Sequence, residues 1–472
     1  STRAEAGLKA MNIGFVSTRI AGTDGVSLEI AKLAEILARL GHRCCYCAGE
    51  LDDARAPGQL VPEMHFTHPE ARWIHDHSFG TTEPAPDLHE RIAAMAAHLR
   101  AAIARFVHEQ HVDVLFTQNA LSIPMHVPLG VALTDFIAGT GMRTLAHNHD
   151  LAWERERFAV NCIPEILERC FPPALPSVTH LAINSLAQAA MAQRKGIRAV
   201  VLPNIFDFNT AAPAMSPANA GLRAGLGLSD DQLMILQPTR VIARKGIELA
   251  VELVRRLREP AVRPRLLGKE PVLVITHPAG DEGLAYLEKI QERAARDRVP
   301  LIYAADRFTA QAGAPAANAR TNVGANVGAG LPRPYTLSHP DTSSHASTSP
   351  TYALWDAYVH ADFVTYPSVI EGFGNALLEA LYFRVPALVN RYDVYASDIG
   401  PLGFDLVEIH AGGDPENLAA VTGETVDAVI EAIIDPVRRR RMVEWNYHLA
   451  RQHYSLEAVT PLLAALLEDK QP

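Results

Sequence analysis

The sequence predicts an α/β protein of two doubly wound, parallel-sheet domains of Rossmann type, on three observations. Short apolar strands alternate with amphipathic helices along nearly the whole chain, which is the rhythm of right-handed βαβ units. That rhythm runs twice, once from "NIGFVST" and again from "DQLMILQPTR". At 472 residues the chain also exceeds what one ordinary core supports.

From Met11 the strand "NIGFVST" leads through the loop "RIAGTDGVS" into the helix "LEIAKLAEILARLGH". Leu28, Ala31, Leu33, Ala34, Ile36, Leu37 and Leu40 keep the helical period there, and Gly41 stops it. "RCCYCAGE" restarts a strand, and "HVDVLFTQ", "MRTLAHNHD", "VTHLAINS" and "GIRAVVLPN" continue the alternation. An N-terminal domain over 11–205 follows, preceded by a tail or tag remnant at 1–10. The second run starts at "DQLMILQPTRVIARKGIELAVELVRRL" and passes through "PVLVITHP", "YLEKIQERAARDR", "VPLIYAAD", "LWDAYVHADFVTYPS" and "VPALVNRYD". It predicts a second domain over 206–440, with helices over 441–472 that cross back to the first. Between 309 and 350 the chain is rich in Ala, Gly, Ser, Thr, Asn and Pro and poor in large apolar residues. That stretch reads as an insertion, either a tolerated surface loop or a lid.

Composition narrows the function classes. Hydrophobic content of 48% with 20% charged residues describes a globular chain with ample core material. A formal net charge of −10 argues against a broad nucleic-acid surface, while leaving room for a local anion site. The five cysteines have no C-x-x-C spacing, so neither a disulfide framework nor a structural zinc site is expected, and a cytoplasmic location fits. The stretch 115–134 carries Gln118, Asn119, Ser122, Pro124, His126 and Pro128, which excludes it as a membrane span. The run Arg438–Arg441 reads as a solvated face of a terminal helix.

The segment "YPSVIEGFGNALLEA" places Glu371 and Glu379 eight positions apart around Gly372, Phe373 and Gly374. At 100° per residue the two carboxylates do not share a helical stripe. Glu371 belongs to a loop and Glu379 to the second turn of a helix beginning near Gly374 or Asn375. Glycines permit close ligand approach, and the helix start offers free N–H groups to an anion such as a diphosphate. A carboxylate beside an anion is tolerated where it accepts hydrogen bonds from vicinal hydroxyls, which suits a nucleotide sugar. The same residues are compatible with a simple acidic N-terminal turn. Upstream, "QPTRVIARKGIELA" sets Arg240 and Lys245 at a strand end, with Arg244 between them. Open α/β sheets bind ligands at the carboxyl ends of their strands, and these cations could neutralise a leaving diphosphate there.

The Arg-x-x-x-x-Lys-Gly turn followed by "EGFGNALLE" resembles the retaining glycosyltransferases of family 4, with their GT-B fold of two Rossmann-like domains facing a central cleft. "GTDGVSLEIAKLAEILARLGHR" is similar to the family's first loop and helix, and "VLPNIFDF" to its interdomain segment. The resemblance implies that Glu371 contacts the donor sugar and Glu379 the ribose hydroxyls. It implies that the amides of Phe373, Gly374 and Asn375, with Arg240 and Lys245, hold the diphosphate. Gly22 to Gly25 would bring the N-terminal loop against the phosphate or the acceptor. "TLAHNHDLAW" resembles the family's histidine contact to the sugar, for which His149, next to Asp150, competes with His147. Two departures stand out. "VITHPAGDEG" has His277 and Pro278 where the family has glycines, and "LVNRYDVYASDIG" lacks the common Gly-Gly pair. Arg391, Tyr392 and Tyr395 either face the acceptor or cap the sheet.

The resemblance thus implies transfer of a hexose from a UDP- or GDP-linked sugar to a carbohydrate acceptor, a soluble sugar or small glycoside, with retention. It implies no tightly bound cofactor and no metal. A GT-B-fold nucleotide-sugar epimerase and a catalytically silent sugar-binding protein are the alternatives. A dinucleotide dehydrogenase is disfavoured because no G-x-G-x-x-G follows the first strand.

Overall fold

The computed structural model describes residues 9–22, 25–52, 55, 57–279, 283–309 and 351–468. The insertion expected over 309–350 lies outside the described residues except Thr309, as does most of the expected tail.

The N-terminal sheet comprises β1 (Asn12–Ser17), β2 (Arg43–Ala48), β3 (Gly58–Leu60), β4 (Val114–Gln118), β5 (Thr144–Asn148), β6 (Val178–Ala182) and β7 (Val200–Val201). They lie in the order β3-β2-β1-β4-β5-β6-β7, every pair parallel. Its helices are α1 (Gly25–Arg39), α2 (Pro69–Ser78), α3 (Leu88–Glu109), α4 (Val127–Thr140), α5 (Pro164–Cys170) and α6 (Ser185–Lys195). Strand alternation sorts the core onto two faces. Ile13, Phe15, Val114 and Phe116 meet α1, while Val16, Cys45, Cys47 and Leu115 join the α2–α4 layer. A parallel sheet covered on both sides needs such continuous apolar strands.

The second domain adds α7 (Leu222–Gly225), β8 (Gln232–Gln237), α8 (Ile247–Leu257), β9 (Glu270–Ile275), α9 (Ala285–Arg296) and β10 (Leu301–Tyr303). A short ladder of β11 (Phe308–Thr309) and β12 (Tyr352–Ala353) flanks positions 310–350. Then come α10 (Leu354–His360), β13 (Phe363–Tyr366), α11 (Asn375–Tyr382), β14 (Ala387–Asn390), β15 (Val407–Ile409) and α12 (Gly423–Ile434). The second sheet is also parallel, ordered β10-β9-β8-β13-β14-β15.

The chain ends in α13 (Pro436–Tyr454) and α14 (Leu456–Glu468). α13 runs unbroken through residue 440, so the division expected there falls inside a helix. Asp435 caps α13 by accepting from the Val437 and Arg438 amides at 2.9 and 3.0 Å. Arg438 is bound to Asp405, and Arg439 donates to the Asp362 carbonyl at 3.1 Å. Half of the basic run is thus spent within the fold. Leu456, Val459, Leu463 and Leu467 of α14 pack into the core around Ile13 and Phe15. This return crossing is tied to the outgoing one, since the Phe206 amide donates to the Tyr454 carbonyl at 2.8 Å.

Candidate active site

Each sheet has one place where neighbouring strands are distant in sequence, β1 beside β4 and β8 beside β13. At such a switch the following loops diverge and leave a crevice at the carboxyl ends of the strands. Both crevices carry residues of interest.

In the second domain the chain leaves β8 and makes a 3-10 turn at Ala243–Lys245, ending on Gly246 at φ +60°. A Cβ built on Gly246 would stand 2.4 Å from the Pro367 carbonyl oxygen, so the turn requires glycine. The turn delivers two cations to one carboxylate. Lys245 Nζ pairs with Glu371 Oε1, and Arg244 Nη1 lies 3.2 Å from Glu371 Oε2. Lys245 is buried and the Glu371 side chain is only 9% exposed. Burial pushes both toward neutrality, yet they respond differently. For Glu371, Lys245 and Arg244 overcome burial and hold the carboxyl below its ordinary range. For Lys245, burial together with Arg244 and Arg240 outweighs Glu371 and lowers the ammonium. His277 is pushed down to about 4 by burial and then by the fields of Lys245 and Arg240. The field in this crevice is therefore positive.

Glu371 leads into a turn completed by Gly374 at φ +140°, where a Cβ would meet Tyr392 Oη at 2.7 Å. Tyr392 is fully buried and donates to the Phe373 carbonyl at 2.5 Å, supporting the turn from inside the domain. The Leu377 and Leu378 amides both donate to the Gly374 carbonyl, at 3.0 and 3.1 Å. The Asn375 and Ala376 amides precede the helix's own bonds and are its anion-facing donors. Glu379 stands on the second turn and accepts from Trp355 Nε1 at 3.2 Å and Tyr358 Oη at 2.7 Å. Burial raises it above the usual carboxyl value.

At the other crevice, β5 ends in two histidines whose ring centroids are 4.2 Å apart. His147 is fully enclosed and burial pushes it well below its ordinary value; His149 is partly exposed and pushed down to about 4. Gln118 Oε1 lies 3.1 Å from both His147 Nδ1 and His149 Nε2, so those two nitrogens carry the protons of neutral rings. Asn119 follows at φ +60°, a conformation asparagine tolerates. Its Oδ1 accepts from the His149 amide at 3.0 Å, the Asp150 amide at 3.2 Å and Ser122 Oγ at 2.9 Å. Gln118 and Asn119 thereby set where His149 sits. Neither was singled out from sequence; the available signal was a polar Gln-Asn pair closing the apolar run "VLF".

The two crevices meet. Asn184 Nδ2 donates to the Gly372 carbonyl at 2.7 Å, and a Cβ on Gly372 would lie 3.7 Å from the His149 carbonyl oxygen. Asn204 Nδ2 donates to Asn375 Oδ1 at 2.8 Å, and a Cβ on Gly25 would be 4.0 Å from Asn375 Nδ2. The linker itself is gripped from α1. Glu29 accepts from the Ile205 amide at 3.2 Å, and Lys32, 2.5 Å from Glu29 Oε2, donates to the Ile205 carbonyl.

Lys245, Glu371, Gly374, Asn375 and His149 therefore gather around one junction. Arg240 is exposed beside it, its charge felt by Lys245 and His277. The Phe373 side chain is buried against the Tyr454 ring and offers only its backbone. Gly22 has its amide engaged by Asp52 Oδ2 at 2.9 Å; residues 23 and 24 of that loop lie outside the described residues. Asp150 is paired with Arg155 within its own loop. Arg391 and Tyr395 depart from the acceptor-facing alternative. Arg391 Nη1 is 2.7 Å and Tyr395 Oη 2.6 Å from the carboxylate of Glu408 on β15, so both brace the sheet.

Comparison with known proteins bears on what this junction is. No protein-family model matches the chain. It is 29% identical over 417 residues to mannosylglucosylglycerate synthase of Petrotoga mobilis, covering 86% of this chain and 88% of that protein. It is 27% identical to the Thermotoga maritima protein of the same name, over 96% and 99% of the two chains. Among solved structures, a glycosyltransferase from Rickettsia africae superposes with a TM-score of 0.63 at 12% identity, over 98% of this chain and all of that one. This chain is a GT-B glycosyltransferase. Anabaena HepE, solved with UDP-glucose, superposes on the glycosyltransferase with a TM-score of 0.58 at 14% identity, covering 97% and 99% of the two chains. Among the described residues no helix of the glycosyltransferase is long and apolar enough to cross a membrane.

Proposed function

We propose that this glycosyltransferase is a retaining, metal-independent hexosyltransferase of the family 4 type, acting from a UDP- or GDP-linked sugar on a small glycoside. The relatives' name supports an acceptor built like glucosylglycerate. The observation that carries the reading is the knot of Lys245 and Arg244 on Glu371, placed at the β8/β13 switch and against the His149 loop. A lone carboxylate surrounded by a positive field is poised for a further anion, and the α11 amides add to that field.

In this reading the diphosphate rests on Arg240, Lys245 and the amides of Gly374 and Asn375, with Glu379 accepting from the ribose hydroxyls. Trp355 and Tyr358 use two of the roughly four acceptor positions of that carboxylate, leaving the others for ribose. Glu371 and neutral His149 hold the hexose. The C1–oxygen bond to the diphosphate breaks, a bond to the acceptor oxygen forms on the same face, and the acceptor's proton passes to the departing diphosphate. The segment up to residue 205 holds the acceptor, and the segment beyond it the donor. All five cysteines are free, which supports a cytoplasmic location.

The test is incubation with UDP-, GDP- and ADP-hexoses plus glucosylglycerate, following product mass and the anomeric coupling by NMR, with and without EDTA. One retained-configuration product that survives EDTA is expected. Donor turnover that needs no acceptor would point to an epimerase, and nucleotide binding without any turnover to a silent binding protein.

A further inference from the structure

At the β1/β4 switch, on the side of Gln118 away from the histidines, lies a cavity of about 250 Å³. It is lined by Ser17, Arg19, Gln118, Asn119, Met125 and His126, among others. We propose that it is the acceptor subsite and that it takes the carboxylate-bearing end of a small glycoside. This rests on the glycosyl-transfer reading above.

The polar groups of the lining decide the chemistry. Gln118 is 1% exposed; its oxygen is occupied by the two histidines, and its Nε2 finds no hydrogen-bond partner among the described residues. A buried amide donor without an acceptor is costly, and a ligand oxygen relieves that cost. Ser17 Oγ donates to the Gln118 carbonyl at 3.2 Å. His126 is committed, its Nδ1 accepting from the Leu129 amide at 3.1 Å and its Nε2 lying 2.8 Å from the Glu63 carbonyl. Asn119 Oδ1 already serves three donors. No aspartate or glutamate lines the cavity, and Arg19 brings its one full charge. Glu50, 3.1 Å from Arg19 Nε, is half exposed and outside the lining. A donor-rich pocket with a guanidinium and no carboxylate selects an acceptor-rich, anionic group. The volume, below the roughly 300–1,000 Å³ of drug-sized pockets, suits one small polar molecule.

Position supplies the second argument. Gln118 is shared by this cavity and His149, and the His149 loop touches Gly372. A ligand held at Gln118 thus lies next to the hexose proposed to sit between His149 and Glu371. Ser17 and Gln118 close β1 and β4, the rigid strands of the switch, so the subsite is built on the sheet.

The test compares glucosylglycerate with its uncharged analogue glucosylglycerol as acceptors of the wild type, R19A and R19K. R19A is expected to raise the KM for glucosylglycerate at least tenfold, to change that for glucosylglycerol less than twofold, and R19K to recover part of the loss. Calorimetric binding of glucosylglycerate in the presence of UDP should weaken in parallel. An R19A enzyme with unchanged KM for glucosylglycerate, or equal losses for both acceptors, overturns the subsite. A wild type that transfers no hexose to any acceptor would instead overturn the glycosyl-transfer reading.

Discussion

Replacing Lys245 with Met separates what the buried ion pair does for the fold from what it does for catalysis. The substitution keeps the aliphatic stem and removes the charge, leaving Glu371 with Arg244 at 3.2 Å as its remaining cationic partner. Removing one member of a buried pair costs about 3–5 kcal/mol when the other is stranded. Arg244 retains part of the interaction, so we expect about 2–3 kcal/mol, read as a shift in the urea midpoint. The double variant K245M/E371L replaces both charges by apolar groups and should recover most of that loss, because such swaps are close to neutral. Turnover must behave otherwise. A preorganised positive group facing developing charge contributes on the order of 10²–10³ in rate, so K245M should lose that much, and the double variant should stay inactive despite regained stability. Urea unfolding and initial rates at saturating donor are the two assays. Near-normal turnover in K245M removes Lys245 from the diphosphate site. A double variant no more stable than K245M shows that the pair is not the energetic unit described.

Glu379→Ala should mainly weaken nucleotide binding, by about 10–100-fold for two lost charge-assisted hydrogen bonds; unchanged affinity for the free nucleoside diphosphate by calorimetry removes the ribose assignment. Gly374→Ala should cost about 2–3 kcal/mol, since φ +140° excludes a side chain and its Cβ would lie 2.7 Å from buried Tyr392 Oη. A Tm equal to wild type would show that the turn rearranges freely. Acidification should destabilise the fold. His126, His149, His180 and His277 are each pushed down to about 4, chiefly by burial, so between about 6.5 and 4 the unfolded chain binds protons the native state excludes. Each such group contributes a slope approaching about 1.4 kcal/mol per pH unit, with stability lost as pH falls. Glu371, held low, acts in the same sense; Glu29, Glu154 and Glu379, raised by burial, oppose it in smaller number. A Tm that rises from pH 7 to pH 5 contradicts this balance.

The alternation of apolar strands with amphipathic helices made the two sheets readable, because a strand buried on both faces leaves a run such as "QLMILQ" that little else explains. The three-residue edge strands β3 and β15 carry no such run and escaped. Missing β15 had a consequence, since Glu408 on that strand binds Arg391 and Tyr395, the residues left open toward the acceptor. Spacing placed Glu371 in a loop and Glu379 on a helix, and α11 begins at Asn375 as that arithmetic required. The partner of Glu371 was not legible. Lys245 and Arg244 precede it by more than a hundred positions, and only the neighbouring of β8 and β13 brings them together. Gln118 and Asn119 were invisible for a related reason, because their importance comes from β5 lying beside β4.

The two carboxylates of "EGFGNALLE" end up in opposite electrostatic situations although eight positions separate them. Glu371 is buried against two cations that keep it ionised, whereas Glu379 is buried against the neutral donors of Trp355 and Tyr358 and is raised. A carboxylate held by charge sits where charge changes during a reaction, and one held by neutral hydrogen bonds sits where hydroxyls are recognised. The glycine turn between them makes the division possible. It reverses the chain sharply enough for Glu371 to face the β8 turn while Glu379 points from the helix toward α10, so one short segment serves both the diphosphate-linked sugar and the nucleoside.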